Sequence, residues 1–256
     1  MLGMRVVVTH HGEDYHRAKW GFVARQMLRL GERLAATSAN RLIAVSPSLT
    51  QRLKRKFPRS AARIVHIPNG APELPQATGD ALARLGLASG AYILAVGRLV
   101  PEKGFHDLID AHERSADPRQ LVIVGGADHE SAYARTLRSR ASARTLFAGL
   151  QDRATLRELF EHADLFVMPS YHEGLPIAAL EAASCGTPMM LSDIQPNRDL
   201  GLPDDRYFPV GDVGALAACL AMPSAHYAID PADFRRRFDW DDIAIKTLAT
   251  YRAALA

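Results

Sequence analysis

Residues 172–181 read His-Glu-Gly-Leu-Pro-Ile-Ala-Ala-Leu-Glu. They follow a short apolar run and continue into a predicted helix, Pro176–Ser184. Pro176 suits the first helical position. Proline has no N–H, and the N–H of that position is unpaired in any helix, while the proline ring already fixes a helical φ. The backbone amides of Gly174 and Leu175 would then stand at a helix N-terminus, where unpaired N–H groups and the helix dipole stabilise a diphosphate. A strand, a glycine turn and a helix in this order predict one unit of an α/β sheet.

The two carboxylates of this stretch, Glu173 and Glu181, would repel phosphate, so we expect them to accept hydrogen bonds from hydroxyl groups. Sugar and ribose supply such hydroxyls. The alternative is an exposed loop glutamate and a second glutamate on a solvated helix face. However, the residues around Glu181 are apolar nearly all round the predicted helix, where an unpartnered charge is costly. The stretch therefore indicates a nucleotide-sugar site.

Short β-branched runs alternate with helical segments along most of the chain, which predicts an α/β fold with a parallel sheet and helices on both faces. The predicted strands are Arg5–Thr9, Arg41–Ser46, Arg63–Ile67, Tyr92–Val96, Leu121–Val124, Arg144–Phe147, Leu165–Met168 and Met189–Ser192. The predicted helices are Lys19–Ala36, Pro47–Lys56, Phe105–Glu113, Glu130–Arg140, Arg153–His162 and Pro176–Ser184.

The segment from Pro68 to about Gly90 is rich in Pro, Gly and Ala and predicts a domain boundary. Five predicted strands follow it, which is enough for a complete Rossmann-like domain. Only three precede it, so the first domain would lack its initial strands and expose a sheet edge. The expected units are a partial N-terminal domain over 1–72, a linker over 73–90, a C-terminal Rossmann-like domain over 91–238 and a packing helix over 239–256.

A second candidate segment, residues 97–104, reads Gly-Arg-Leu-Val-Pro-Glu-Lys-Gly and directly follows the predicted strand Tyr92–Val96. Ligands of open α/β sheets bind at the carboxyl ends of the strands. Arg98 can hold two phosphate oxygens while Lys103 adds a point charge, a combination that suits a diphosphate leaving group. The alternative is a solvated loop that carries basic residues by chance.

Two adjacent histidines, His10 and His11, follow the first predicted strand. A histidine at this position can contact a substrate at the mouth of the sheet. A structural role is the alternative. His11, which precedes Gly12, is the stronger candidate.

Positive charge is concentrated in residues 1–70, which hold 13 Lys and Arg against 3 Asp and Glu, although the whole chain carries a net charge of only +3. Apolar residues are interleaved with these basic ones, as expected for an amphipathic helix at an anionic membrane surface. A solvated basic face is the alternative. Nucleic-acid binding is disfavoured because aromatic residues are not interleaved. The basic residues concerned lie within 17–59 and include Arg25, Arg29, Arg33, Arg52, Lys54, Arg55, Lys56 and Arg59.

No apolar run approaches the length of a membrane span or of a signal peptide, so we expect a cytoplasmic protein.

Cys185 and Cys219 show no CxxC pairing, and we expect both in the core. Metal ligation finds little support, since the DxD at 239–241 is expected to cap a helix. The chain lacks the glycine motifs of nicotinamide-binding and P-loop proteins.

Taken together, these segments resemble the retaining glycosyltransferases of family 4, whose GT-B fold consists of two facing Rossmann-like domains. Residues 172–181 resemble the EX7E motif of that family, and residues 97–104 resemble its diphosphate loop. Residues 67–70 resemble the IPNG that precedes its linker, and 163–170 and 181–188 match two further segments. Family members generally have roughly a hundred additional residues before the position of His11. The resemblance thus implies a GT-B fold with a complete C-terminal domain and a partial N-terminal domain.

The resemblance also implies roles for individual residues. His11 and Glu173 would be catalytic, and Arg98 and Lys103 would bind the diphosphate, while Glu181 would bind the ribose hydroxyls. No metal cofactor is implied. The family mechanism is commonly drawn as a front-face substitution, in which the departing phosphate accepts the proton of the acceptor and leaving-group electrostatics carry most of the catalysis. The implied substrate-binding residues are Gly97, Arg98, Lys103, Glu173, Gly174, Leu175 and Glu181.

Two functions remain open at this point. In the first, the chain transfers a sugar from a nucleotide-diphosphate sugar, with UDP as the expected nucleotide, to a glycan or lipid-linked acceptor in polysaccharide or cell-envelope biosynthesis. In the second, it is a nucleotide-sugar-binding module or an inactive subunit that needs a partner for the other half of its first domain. Donor binding is common to both, and only turnover distinguishes them.

Overall fold

The computed structural model of the protein describes residues 3–13, 15, 20–77, 79–115, 117–127 and 131–255. The strands within these residues form two parallel sheets, the first in the order β1-β2-β3 and the second in the order β6-β5-β4-β7-β8-β9. The α/β fold with parallel sheets that the sequence predicts is therefore confirmed. The strands are β1 (Val7–His10), β2 (Arg41–Ala44), β3 (Ile64–His66), β4 (Tyr92–Val96), β5 (Gln120–Val124), β6 (Thr145–Gly149), β7 (Leu165–Met168), β8 (Met189–Ser192) and β9 (Tyr207–Phe208).

The second sheet has the doubly wound strand order of dinucleotide-binding folds. Its order reverses between β4 and β7, which pair through Ile93 with Leu165 and through Leu94 with Phe166. These four side chains are fully buried, as expected for parallel strands covered by helices on both faces. The reversal leaves a crevice beyond the carboxyl ends of β4 and β7, which is the usual ligand position in such sheets.

Helices cover both sheets. Their bounds are α1 (Phe22–Ser38), α2 (Pro47–Lys56), α3 (Ala81–Leu85), α4 (Phe105–Arg114), α5 (Ala132–Arg140), α6 (Arg153–His162), α7 (Ile177–Ser184), α8 (Gln195–Arg198), α9 (Val213–Leu220), α10 (Pro231–Arg237) and α11 (Trp240–Leu255). Short 3-10 helices occupy Pro58–Arg63, Pro101–Lys103, Asp204–Arg206 and Ser224–Tyr227. No helix within the described ranges is long and apolar enough to cross a membrane.

The last helix, α11, connects the two parts of the molecule. Asp239 accepts a hydrogen bond from the backbone N–H of Asp242 at 3.0 Å, so the DxD caps this helix as predicted. Ile243 then packs with Ile43 and Ile67 of the first sheet. A helix that follows the second sheet in sequence thus buries one face of the first sheet.

The connection between the sheets is held by α6. Glu158 is almost fully buried, and its carboxylate accepts hydrogen bonds from the backbone N–H groups of Gly79 at 2.7 Å and Leu82 at 3.1 Å. Glu158 therefore satisfies one amide in the first turn of α3 and one just before it, and the sequence did not predict this short helix.

Most boundaries follow the sequence pattern, and strands β4, β7 and β8 and helices α2 and α6 have the predicted bounds. Helix α1 begins later than predicted, at Phe22, while Lys19 lies outside the described residues. Helix α5 begins at Ala132, and its predicted start, Glu130, is likewise outside them. The sequence missed β9, α8, α9 and α10, so the second sheet has six strands rather than five. Strand β9 spans two residues, which is too short for a periodic pattern.

The two cysteines border the core rather than lie inside it. Cys185 and Cys219 are half-buried free thiols that pack against hydrophobic clusters. Each lies at the end of a helix, where the apolar stripe meets the surface.

Candidate functional site

The loops that follow β4 and β7 meet at the crevice where the strand order reverses. Gly104 permits their close approach, because its φ of 67° is left-handed and a Cβ there would lie 2.1 Å from the carbonyl oxygen of Pro169. The backbone N–H of Tyr171 donates to the carbonyl of Glu102 at 2.9 Å. The two loops therefore form one continuous surface.

An ion pair joins these loops at their centre. Lys103 Nζ lies 2.6 Å from Glu173 Oε1, and Ser170 Oγ donates to the same oxygen at 2.7 Å. Ser192 in turn donates to the carbonyl of Ser170 at 2.5 Å, and Asn197 Nδ2 donates to the carbonyl of Ser192 at 2.8 Å. Both serines and Asn197 are fully buried, and their hydrogen bonds support the position of Glu173, while Oδ1 of Asn197 has no partner among the described residues.

Arg98 belongs to the same loop as Lys103 and is half-buried. This loop is anchored to the sheet, since Gly97 donates its N–H to the carbonyl of Val124 at 2.9 Å. The contact is close, because a Cβ on Gly125 would lie 1.9 Å from the carbonyl oxygen of Gly97. The two cations that the sequence assigns to a diphosphate thus come from one loop with a fixed base.

Glu181 lies within α7 and is 9% exposed. Among the residues that the structure describes, none donates a hydrogen bond to its carboxylate. Burial raises the pKa of Glu181, and the positive charge of Arg153 offsets this only in part. A buried carboxylate without a donor is costly, and the hydroxyl groups of a ligand would supply the donors that it lacks.

The turn that carries His11 reaches across from the first sheet to the loop after β7. A Cβ on Gly174 would lie 1.8 Å from the carbonyl oxygen of His11, and a Cβ on Gly12 would lie 3.3 Å from the Cα of Gly174. Backbone therefore meets backbone at this point, and only glycine at 174 fits. The structure brings His11 next to the loop of Glu173.

A cavity of about 480 Å³ opens beside this contact. Exposed His11 lines this cavity together with Arg153 and Ile177, and Gly70 of the first part and Trp240 of α11 complete it. Ile177 precedes Glu181 by one helical turn. The volume lies within the range of small-molecule sites, and among the predicted site residues His11 lines it, whereas Arg98, Lys103, Glu173 and Glu181 do not.

The start of α7 differs from the prediction. Pro176 has φ −77° and ψ 94°, so it is the residue before the helix, and α7 begins at Ile177. The proline ring fixes φ but leaves ψ free to be extended. The amides of Gly174 and Leu175 therefore lie ahead of the first turn rather than within it, and the predicted role of the helix dipole at these amides is weakened.

Sequence reasoning missed three residues that support this site: Ser170, Ser192 and Asn197. Ser170 lies beyond the carboxyl end of β7 and three residues before Glu173, so the rule that placed Lys103 could also have found it. No sequence pattern predicts the contact of Asn197. Its partner, Ser192, lies five residues earlier, on the other side of a turn. Within the described part of the chain, no group of three or more His, Cys, Asp or Glu residues could hold a metal ion.

Two family descriptions match this chain. Glycosyl transferases group 1 matches residues 85–218, and Glycosyltransferase Family 4 matches residues 1–72. The alpha-maltose-1-phosphate synthase of Mycobacterium tuberculosis is 32% identical over 260 residues, which cover 88% of this chain and 66% of that protein. The chain thus spans about two thirds of the length of this relative.

Solved structures agree on the fold. Sucrose-phosphate synthase from Thermosynechococcus elongatus superposes with a TM-score of 0.80 at 26% identity and covers 96% of this chain and 67% of that chain. Anabaena HepE, in complex with UDP and glucose, superposes with a TM-score of 0.81 at 22% identity and covers 97% and 71%. At the latter identity the likeness is one of fold alone.

Proposed function

Because this chain belongs to the group 1 glycosyl transferases, a GT-B family, we propose that it transfers a hexose from a nucleotide-diphosphate sugar to a glycan or lipid-linked acceptor with retention of the anomeric configuration. UDP is the nucleotide that we propose first, and crystals of HepE, which shares the fold, contain UDP and glucose. Polysaccharide or cell-envelope synthesis would be the process served.

The observation that carries this proposal is Glu181, a buried carboxylate to which no described residue donates a hydrogen bond. Ribose offers two adjacent hydroxyl groups, which would satisfy both of its oxygens. Lys103 and Arg98 lie in the loop after β4, where they would hold the diphosphate. Their charge would stabilise the departing phosphate, which is where negative charge develops during transfer.

Glu173 suits a role as hydrogen-bond acceptor for the transferred sugar. Its Oε1 accepts from Lys103 and Ser170, and once a diphosphate takes Lys103 this oxygen would accept from a sugar hydroxyl instead. His11, across the contact with Gly174, would lie beside the same sugar. This arrangement supports a front-face substitution, in which no enzyme carboxylate attacks the sugar.

Calorimetric titration of the purified chain with UDP, GDP, dTDP and ADP tests the donor site, with Arg98→Ala and Glu181→Ala as variants. We expect one nucleotide to bind and both variants to weaken it at least tenfold. Transfer is then followed with the matching sugar nucleotide and a panel of glycan, sugar-phosphate and lipid-linked acceptors, and NMR of the product reports the anomeric configuration. An inverted product, or no nucleotide bound by the wild type, would contradict the proposal.

The alternative is a nucleotide-sugar-binding module that needs a partner for transfer. This chain spans 66% of the length of the alpha-maltose-1-phosphate synthase. Nucleotide binding without transfer to any acceptor would support the module, and transfer that is restored by an added N-terminal segment of a full-length relative would support a subunit role.

We further propose contact of the first part of the chain with an anionic membrane at its cytoplasmic face. Helix α1 exposes Phe22, Val23 and Met27, each at least 69% exposed, and carries exposed Arg29 and Arg33. Apolar residues with flanking arginines suit an anionic lipid surface. Co-sedimentation with phosphatidylserine vesicles but not with phosphatidylcholine vesicles, lost in Phe22→Ser/Met27→Ser, is the expected result.

The basic run of α2 contributes less to such a surface than its sequence suggests. Arg52 forms an ion pair with Glu13, and Lys56 forms one with Glu32, and both carboxylates are buried. These two cations therefore serve the interior of the first part, and Lys54, Arg55 and Arg59 remain exposed.

A further inference from the structure

The side chain of His10 bridges a buried carboxylate and the turn that carries His11. His10 Nδ1 accepts a hydrogen bond from the backbone N–H of Gly12 at 3.2 Å, and His10 Nε2 lies 3.4 Å from Glu32 Oε2. An amide can only donate to an imidazole nitrogen that has no proton, so the proton of His10 resides on Nε2 and is donated to Glu32. The geometry thus defines both ends of this imidazole.

Glu32 is itself held by three groups. Lys56 pairs with its Oε1, while the hydroxyl of Tyr15 lies 3.0 Å from its Oε2 and 2.6 Å from Glu13 Oε1. Burial alone would raise the pKa of Glu32, but hydrogen bonds from His10 and Lys56 lower it to about 2. Glu32 is therefore an ionised carboxylate in place to accept a hydrogen bond from Nε2–H of His10.

The other end of the turn is fixed by the same cluster. Glu13, directly after Gly12, is 6% exposed and pairs with Arg52 of α2. Tyr15 connects Glu13 with Glu32, so α1 and α2 both hold the turn. His11 and Gly12 lie between these two anchors.

The anchored turn meets the candidate site at backbone level. The carbonyl oxygen of His11 is so near Gly174 that a Cβ there would lie 1.8 Å away. A shift of the turn by a fraction of an ångström would therefore move His11 against the loop of Glu173 or away from it. Catalytic geometry is sensitive to displacements of this size.

We propose that His10, as the Nε2–H tautomer held by Glu32, is a positioning residue that fixes the Gly12 amide and thereby sets His11 opposite Gly174. The kinetic part of this inference rests on the proposed transfer reaction, and the structural part does not. His10 acts through Gly12, so it need not touch the substrate.

The structural part is tested by NMR of the wild-type chain. Long-range ¹H–¹⁵N spectra of the imidazoles, assigned with His10→Asn, are expected to show His10 with a bare Nδ1 and a protonated Nε2. Amide exchange at Gly12 is expected to be at least tenfold faster in His10→Phe than in the wild type. A proton on Nδ1, or a Gly12 amide that exchanges equally in both proteins, would overturn the proposal.

The kinetic part uses variants that keep one contact each. Asparagine places an acceptor near the position of Nδ1, glutamine places a donor near that of Nε2, and phenylalanine offers neither. We expect kcat to fall in the order wild type, His10→Asn, His10→Gln and His10→Phe, by at least tenfold in the last, while the Kd for UDP stays within twofold. His226→Phe, a partly exposed histidine outside the site, is the matched control and should retain kcat.

Two outcomes separate the hypotheses. If the wild type shows no transfer, the proposed function fails, and the tautomer and the Gly12 exchange still decide the role of His10. If transfer occurs and His10→Phe has the kcat of the control, the positioning role is wrong while the proposed function stands.

Discussion

Lys103 neutralises Glu173 across the crevice, with Nζ 2.6 Å from Oε1, so the cation expected to bind a diphosphate already has an anionic partner. A diphosphate would have to displace this carboxylate from the ammonium group. Glu173, once released, would be free to accept hydrogen bonds from the sugar. Donor binding therefore exchanges one ion pair for another, and its net affinity is lowered by the pair that it breaks.

The first prediction concerns this exchange. Glu173→Gln removes the competing charge, and we expect the Kd for UDP to fall about fivefold, since a partly exposed ion pair is worth about 1 kcal/mol. The transfer rate should fall at the same time, because an amide is a weaker acceptor for sugar hydroxyls than a carboxylate. Calorimetry and initial rates measure the two effects.

The control for this variant is Glu102→Gln, which removes the same charge from the neighbouring loop without breaking the Lys103 pair. If both variants tighten UDP equally, the gain comes from net charge alone. The exchange of partners at Lys103 would then be refuted.

The second prediction is that Glu181→Gln makes the protein more stable and a poorer binder of nucleotide. The pKa of Glu181 is raised by burial above its ordinary value of 4.5, so its ionised form destabilises the fold. The folded state holds this proton more tightly than the unfolded state, so the stability of the wild type falls as pH rises through 4.5 towards the raised pKa. Above that pKa the loss is complete.

Urea unfolding between pH 4 and 8 measures this effect. The difference in unfolding free energy between Glu181→Gln and the wild type should grow with pH and then level off. A difference that stays constant over this range would show that Glu181 is not responsible. Glu161→Gln, at an exposed glutamate on α6, is the control for the loss of one surface carboxylate.

The elements that the sequence predicts with their observed bounds are those that depend on local patterns. Strands β4, β7 and β8 are continuous apolar runs, and α2 begins with the N-cap Ser46, whose hydroxyl accepts from the N–H of Leu49. Helix α9 carried a similar signal, since Asp212 accepts from the N–H of Ala215, but its apolar residues had no clear period. Helix α3 depends on Glu158, which is more than seventy residues away, and no local pattern reports that contact.

The site residues also fall into those that a local pattern predicts and those that depend on contacts between distant positions. Residue types and their position after a strand pointed to Lys103, Glu173 and Glu181, yet the pairing of Lys103 with Glu173 joins positions 70 residues apart. The cluster around Glu32 was hidden for another reason. The sequence pattern around its cations, Arg52 and Lys56, predicts a basic surface, because sequence alone does not show which cations face buried carboxylates.

The third prediction concerns the backbone contact between the two parts of the chain. Gly174→Ala places a Cβ where the His11 carbonyl now lies, so we expect the turn and the loop to separate. The transfer rate should fall at least tenfold and the radius of gyration from small-angle scattering should increase. Gly31→Ala, in the exposed middle of α1 with no atom within 4 Å of the new Cβ, is the control.

Gly31→Ala should instead raise the unfolding free energy by about 0.5–1 kcal/mol, because alanine favours the helix over glycine. It should leave the scattering profile unchanged. If Gly174→Ala retains the activity and dimensions of this control, the contact between His11 and Gly174 does not form in solution.

The fourth prediction is that Glu32 stabilises the fold above its ordinary pKa. Its folded-state pKa is lowered to about 2, so the folded state binds the proton less tightly than the unfolded state. The stabilisation is fully present above pH 4.5 and is lost as pH falls towards 2. Glu32→Gln should therefore lower the unfolding free energy at pH 7 by about 1–3 kcal/mol, since it leaves Lys56 and His10 without their charged acceptor.

Denaturant unfolding of both proteins between pH 2.5 and 7 tests this directly. The gap between wild type and Glu32→Gln should narrow as the pH is lowered below 4.5, because protonation removes the same charge from the wild type. Lys56→Met removes the cation instead and should show a gap with the same pH dependence, because it acts through the same carboxylate. A gap of constant size in both variants would mean that Glu32 stabilises the turn by packing rather than by charge, and the anchoring of His10 would then need another cause.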